Sequence, residues 1–284
     1  MTYQPPSEHE SRITIQGVEI ALGFPDEFKF EWIGQRDVLQ QLLAAWLVID
    51  ENDIPLNPRL IGKPGVGKTT LAYAAAKKID RQVYIFQCTM DTRPEDLLIT
   101  PVIDQSGGIR YVASALVTAM IRGGVCILDE ANRMSEKSWA SLAPLLDTRR
   151  YVESIVAGLK VSAHPDFRIC ITMNDDASTF EIPEYIHSRL QPQIYLDFPE
   201  AEEERRILRE NLPFVDDYIM DYVISFLQRA HALHESYTIR DGINIARYAA
   251  KRFKSTNVAP GNRENLLREA ILMTLGDNAL AYLI

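Results

Sequence analysis

The chain has 284 residues, 46% apolar and 24% charged, with a formal net charge of −9. It is long enough for one large domain, or a large domain and a small one. The acidic balance argues against a surface that tracks nucleic acid over its whole extent, while leaving a local basic patch open. No window approaches the roughly 18 uncharged apolar residues of a membrane span. The opening MTYQPPSEHESR has no apolar core of a secretory signal.

Three cysteines, Cys88, Cys126 and Cys170, each lie inside a short apolar run. Their number and wide spacing fit neither a disulfide framework nor a zinc site. They read as small buried hydrophobes on strands, and a reducing, cytoplasmic setting is expected.

Residues 1–30 are polar and contain prolines, which predicts a loose N-terminal arm. Residues 35–49 carry apolar positions at helical spacing. RLI is a short strand that enters a glycine-rich turn, and TTLAYAAAKKI then reads as a helix. VYIFQC is the next strand. RPEDLL opens a helix with Pro94 in its first turn, interrupted by ITPVIDQSGGIRYV, a hairpin centred on Gly107 and Gly108. SALVTAMIRG resumes helical spacing, GVCIL is a strand and EKSWASLAPLLDTR a helix. YVESIVAGLKVSA is a second hairpin turning at Ala157-Gly158. FRICITMN, IPEYIHSRL and QIYLDF read as strand, short helix and strand. Alternating strands and helices predict a mostly parallel sheet covered on both faces. After Pro199 only helical patterns follow. The expected organisation is an arm over 1–30, an α/β core over 31–200 and a small all-helical lid over 201–284.

GKPGVGKT, Gly62 to Thr69, matches G-x-x-x-x-G-K-S/T and lies between a strand and a helix, the context that motif requires. Glycines let successive N–H groups turn inward at phosphate oxygens, and the following helix adds the positive end of its dipole. The phosphate-binding set is Gly62, Lys63, Pro64, Gly65, Val66, Gly67, Lys68, Thr69 and Thr70. Lys68 brings a cation to the terminal phosphates, and Thr69 offers a hydroxyl to Mg²⁺. A dinucleotide fold fits less well, because G-x-G-x-x-G is missing.

LDE ends a strand in two acids that are costly to desolvate without partners. With a phosphate loop present they acquire roles. Asp129 holds the Mg²⁺ shell, and Glu130 orients or deprotonates the attacking water. FRICITMN ends a further strand in Asn174, a donor and acceptor together. It suits a bridge between the γ-phosphate and that water.

Phosphate loop, LDE, strand-end Asn, SRL and TIRDG, in that order, resemble the AAA+ ATPases over roughly residues 31–284. GKPGVGKT, the DEANRM run, the hairpin that interrupts the second helix and AHPDFRICITMN resemble the MoxR type, including the branch related to the CbbQ and NorQ activators. The resemblance implies a P-loop NTPase core with a five-stranded sheet, a helical lid and a ring, usually a hexamer, with ATP between neighbouring subunits. It implies that Asn174 is the first sensor, that Arg189 is an arginine finger reaching the next subunit's γ-phosphate, and that Arg240 is the second sensor. The family more often has Arg-Phe where this chain has Arg189-Leu190, and Arg149 or Arg150 are alternatives for the trans role. Arg133 is a candidate reporter of nucleotide state across the interface.

HALHE, with His231, His234 and Glu235, lacks zinc-site spacing and reads as a partly exposed helix face. EAEEERR reads as a solvated helix start whose acids suit the dipole. Two functions stand against each other. One is an ATP-driven chaperone or activator acting on a partner protein; the resemblance implies a partner with a von Willebrand factor A domain. The other is a nucleic-acid NTPase motor of the restriction or defence type. The hairpin segments hold only Arg110 and Lys160 as cations, sparse for a phosphate-tracking channel. ATP against GTP stays open, with base recognition expected near Trp32, Ile33 and Gly34.

Overall fold

The computed structural model describes residues 12–29, 32–103, 107–175, 182–256 and 262–283. The expected arm's residues 1–11 and 30, and residues 104–106 of the first hairpin segment, lie outside them. The chain divides into two compact units. The first comprises Met1–Phe28, Asp37–Gly62 and Lys68–Tyr195. The second comprises Lys29–Arg36, Lys63–Gly67 and Leu196–Ile284. The helical unit thus takes in two short segments from the N-terminal half besides the C-terminal helices.

In chain order the first unit contains β1 (Arg12–Ile15), β2 (Val18–Ala21), α1 (Arg36–Trp46) from its second residue on, β3 (Arg59–Gly62), α2 (Lys68–Lys78) and β4 (Val83–Gln87). Then come α3 (Pro94–Leu97), β5 (Ile99–Ile103), β6 (Ile109–Ala113), α4 (Ala115–Arg122), β7 (Val125–Asp129) and α5 (Glu136–Leu142). It closes with β8 (Tyr151–Ser154), β9 (Leu159–Ser162), β10 (Arg168–Asn174), α6 (Glu184–His187) and β11 (Gln193–Tyr195).

Five strands form one sheet in the order β11-β3-β10-β7-β4, and every neighbouring pair is parallel. This is the α/β core the alternating pattern predicts. Its strands are buried on both faces and therefore read as nearly unbroken apolar runs: Val125 to Leu128 in β7 and Ile169 to Asn174 in β10 are all buried. Each fully buried Leu, Ile or Val contributes on the order of 2 kcal/mol of transfer free energy. The small face of α2, Ala72, Ala75 and Ala76, is wholly buried and lets that helix approach closely. Trp46 fixes α1 to the sheet through its indole N–H, which donates to the Ile169 carbonyl at 2.9 Å.

Register carries the site. Ile171 lies beside Leu128, and Asn174 beside Gly62. Parallel strands end together, so Gly62, Asp129, Thr172 and Asn174 gather at one carboxyl edge, the place where open α/β sheets bind ligands.

Both inserted hairpins form as the sequence predicts: β5–β6, pairing Ile103 with Ile109, and β8–β9, pairing Ser154 with Leu159. Residues 12–21 differ from the expected loose arm. β1 and β2 form an antiparallel hairpin, and β2 joins β6 to give the sheet β1-β2-β6-β5. The cause is local. Gln16 and Gly17 both adopt positive φ (51° and 84°), the two-residue turn that matches strand twist. Ile13, Ile15, Val18 and Ile20 all turn toward the core, with Ile20 fully buried.

The second unit carries α7 (Ala201–Asn211), α8 (Asp217–Ala232), α9 (Ile239–Thr256) and α10 (Arg263–Leu275), with a 3-10 turn at Asp277–Tyr282. Its own core includes Leu208, Val223, Leu227, Ile245 and Leu267. Asp216 caps α8 by accepting from the Ile219 N–H at 2.9 Å. Thr238 and Asp241 form a reciprocal cap at the start of α9.

Candidate nucleotide site

The phosphate loop leaves β3 at Gly62 and enters α2 at Lys68. Gly65 and Gly67 adopt φ of +84° and +101°, conformations that L side chains rarely hold. Space forbids a side chain there as well. A Cβ on Gly65 would lie 2.7 Å from Thr238 Oγ1, and one on Gly67 3.0 Å from the Trp32 ring. The backbone is thus bare where an anion would lie against it, and α2 follows in the chain with the positive end of its dipole. Val66 is buried and Pro64 exposed, Lys63 and Thr70 being half-buried. Lys68 is buried, and its ammonium donates to the Gly62 carbonyl at 2.8 Å.

Thr69 Oγ1 donates to Asp129 Oδ1 at 2.7 Å, which places together the two oxygens assigned to Mg²⁺. Thr172, buried one strand away, donates to the same Oδ1 at 2.5 Å and accepts from the Glu130 N–H at 3.0 Å. One hydroxyl therefore orients both acids. Sequence reading gave Thr172 no role; its polar side chain in an otherwise apolar strand was the available signal.

Glu130 adopts a left-handed conformation, φ 55° and ψ 40°, at a cost on the order of 1 kcal/mol for a residue with a Cβ. That turn swings the chain out of β7 into the 3-10 turn Ala131–Arg133. Its carboxylate is then held from two sides. Asn174 Nδ2 donates to Oε1 at 3.2 Å, and Arg133 Nε stands 2.8 Å from Oε2. Asn132 Nδ2 donates to the Asn174 carbonyl at 2.9 Å, fixing the strand end that carries the amide.

Lys68, Thr69, Asp129, Glu130 and Asn174 are thus brought together in the first unit. Cys88 lies against them, its N–H donating to the Asp129 carbonyl at 2.8 Å. Burial and the neighbouring Asp129 and Glu130 charges push its thiol far up, so it stays protonated and inert. All three cysteines are buried free thiols.

The arginines separate into different places. Arg150 is structural: Nη2 donates to the Phe167 carbonyl at 2.9 Å and the guanidinium stands over the Phe167 ring at 5.8 Å. Arg189 and Arg149 both reach Asp147, Arg189 Nε at 3.6 Å and Arg149 Nη2 at 2.7 Å from Oδ2. Arg240 belongs to the second unit, exposed in the first turn of α9.

Among the described residues no group of three or more His, Cys, Asp or Glu side chains gathers to hold a metal ion. A hydroxyl and a carboxylate oxygen 2.7 Å apart suit Mg²⁺, which takes one or two protein oxygens and completes its shell with phosphate and water. No helix of the described residues is long and apolar enough to cross a membrane.

The model of the AAA domain of the dynein-related subfamily matches residues 59–190, from the first residue of β3 past Arg189. Residues 59–190 thus carry an AAA domain, with the fold and phosphate loop of an AAA+ ATPase. Protein CbbQ of Hydrogenophilus thermoluteolus is 32% identical over 138 residues, which is 49% of this chain and 49% of that protein. The chain therefore spans about half the length of that relative. An uncharacterized protein of Staphylococcus aureus is 25% identical over 179 residues, 61% of this chain and 68% of that one. The Thermotoga maritima RuvB Holliday junction branch migration motor matches in fold, with a TM-score of 0.59 at 17% identity over 87% of this chain and 72% of that one.

Proposed function

We propose that this AAA+ ATPase is an ATP-driven chaperone or activator that works as a ring, usually a hexamer in such proteins, and remodels a partner protein. The observation that carries the hydrolytic half is the orienting of Asp129 and Glu130 by Thr172, with Asn174 on the Glu130 carboxylate. A scaffold that binds nucleotide without turning it over has no need to fix that carboxylate.

Gly62 to Thr70 would hold the phosphates of ATP, with Thr69 and Asp129 on Mg²⁺. The metal, when bound, neutralises charge on the phosphates and fixes their orientation. Lys68 supplies a compact cation from its buried position. Glu130 accepts the proton of the attacking water at its carboxylate, and Asn174 holds that carboxylate in place. Arg189, offered to the neighbouring subunit's nucleotide, stabilises charge there. Arg240 acts as the second sensor on the nucleotide of its own subunit.

The protein-partner half rests on the hairpins. Ile103 and Ile109 on β5–β6 are 77% and 68% exposed, and Ile155 at the β8–β9 turn 92%. Lys160, one of the two cations there, lies over the Tyr151 ring at 3.7 Å. Apolar tips suit a polypeptide, where a nucleic-acid track calls for cations and stacking faces. A protein with a von Willebrand factor A domain is the partner we assign, on kinship to the MoxR type.

Glu130→Gln tests the chemistry. Nucleotide affinity should stay within about twofold while turnover falls at least about 100-fold, read by titration and phosphate release. Equal turnover in both proteins would remove Glu130 from its role. Stimulation of wild-type turnover by duplex DNA, but not by polypeptide, would replace the chaperone reading with the nucleic-acid motor.

A further inference from the structure

Arg149 and Arg189 lie 40 residues apart in sequence yet meet at one carboxylate. Asp147 follows α5 in the turn that leads to β8. Arg149 grips it with Nε at 3.0 Å from Oδ1 and Nη2 at 2.7 Å from Oδ2, and its backbone N–H donates to Oδ1 at 3.0 Å. Arg189 comes to Oδ2 from another segment, Nε at 3.6 Å, while its Nη1 donates to the Tyr185 carbonyl.

A second brace ties the same two segments. Asn57 Nδ2, just ahead of β3, donates to the Leu146 carbonyl at 2.9 Å and to the Arg189 carbonyl at 3.0 Å. The backbone before Asp147 and the backbone of Arg189 are thus pinned to one amide. The guanidinium of Arg149 also stands over the Tyr151 ring at 5.8 Å. The Arg149 hydrogen bond holds the Asp147 carboxyl down to about 2, so it is ionised throughout the working range.

Stability does not account for this arrangement. Half of the Arg149 side chain is exposed, and exposed Arg–carboxylate pairs contribute little to folding. Orientation does. Long arginine side chains lose much rotamer freedom when they engage a ligand, and prior fixing removes that loss from the binding step. Two guanidiniums and one carboxylate leave a net positive charge. The acid therefore positions the cations without cancelling them.

We propose that Asp147 is a positioning residue that fixes Arg149 and Arg189 as one paired cation, presented to the terminal phosphate of a nucleotide held by a second copy of this chain. This rests on the ring reading above. It makes Arg149 a partner of Arg189 in the trans role, where the sequence offers them as alternatives.

Asp147→Asn keeps the shape and removes the charge. Nucleotide affinity and KM should be unchanged while kcat falls about tenfold, short of the roughly hundredfold that a 1 Å misplacement of a catalytic group can cost. Asp147→Glu should recover part of the loss. The Asp147→Asn chain has an intact nucleotide site of its own, so mixing it with Lys68→Ala, which has intact arginines, should restore turnover. Wild-type kcat in Asp147→Asn, with a fall in Arg189→Ala, would overturn the positioning role and leave the ring reading standing. So would a loss in Asp147→Asn that mixing does not restore, when mixing restores Arg189→Ala. If Arg149→Ala and Arg189→Ala both turn over at the wild-type rate, the trans-arginine reading itself falls. Should Asp147→Asn melt early, the arginine pair carries the test. Paired action requires that the double variant lose about as much as the worse single one; losses that multiply would overturn it.

Discussion

The first unit sets two acids at the end of β7, and the second buries one inside α7, with opposite surroundings. Asp129 and Glu130 stand among donors: Thr69 and Thr172 on the first, Thr172, Asn174 and Arg133 on the second. Glu204 is wholly buried; Gln228 Nε2 donates to its Oε2 at 2.9 Å, and Oε1 has no hydrogen-bond partner. Burial pushes its carboxyl up to about 7, against a smaller downward pull from Gln228. Donors around an acid hold its oxygens in fixed directions, as a metal ligand or a base requires. A buried acid without them tends to hold its proton. The two regions therefore separate acids held by several donors at a strand end from one kept within a packed helix.

Among variants that break this contrast, the largest effect should come from stripping the donors off the first pair. Thr172→Val keeps the volume and removes the hydroxyl. Asp129 loses a donor and the Glu130 N–H loses its acceptor. We expect turnover to fall at least about 30-fold, since both acids lose aim together. Stability should fall by about 1–3 kcal/mol for the unsatisfied groups, read by denaturant melts. A Thr172→Val protein with wild-type turnover would show that Asp129 and Glu130 are oriented without it.

A smaller effect is expected where the phosphate loop meets the start of α9 within the second unit. A Cβ on Gly65 would strike Thr238 Oγ1, which is committed to Asp241 at 2.9 Å. Gly65→Ala should displace that cap and strain a positive φ, together costing about 2 kcal/mol. A melting temperature equal to the wild type would mean that the loop and the cap move apart freely.

The parts read correctly from sequence are those that chemistry or periodicity writes locally. GKPGVGKT lies between β3 and α2, LDE closes β7 and Asn174 ends β10, the places their residue types indicate, and both hairpins announce themselves by turn residues. The parts missed are pairings across distance or faces of helices. β2 is read as arm because its neighbour β6 lies about ninety residues on in sequence. Asp147 has no motif; only folding brings Arg189 to it. EAEEERR reads as a solvated face, yet Glu204 lies one turn before the buried Leu208 and shares its side of α7. HALHE is a partly exposed face as read, but the stacking of His231 on Phe198, ring centroids 3.9 Å apart, has no sequence signal.

Glu204 gives the smallest predicted effect and the most direct test of the contrast. In the folded protein it keeps its proton up to about pH 7, whereas an unfolded glutamate releases it near about 4.3. Between those values the folded state binds more protons, so its stability falls as pH rises through the window. His231 opposes this. Its Nε2 lies 2.5 Å from the Tyr237 carbonyl, which can only accept, so Nε2 carries the hydrogen and neutral Nδ1 faces Glu204 Oε1 at 3.8 Å. Burial lowers its own proton affinity, so acidification below about 6.5 costs stability at that residue. Comparing variants at one pH removes the histidine's share to first order. Glu204→Gln keeps the volume and the contact with Gln228 but cannot ionise. The full shift would correspond to about 4 kcal/mol, and water entering as the charge forms should leave about 1 kcal/mol. Urea melts should therefore find the glutamine variant more stable by about that amount at pH 8 and the two proteins closely matched at pH 4. A gap of the same size at both pH values would mean that Glu204 does not titrate on folding, and the contrast with Asp129 and Glu130 would reduce to packing alone.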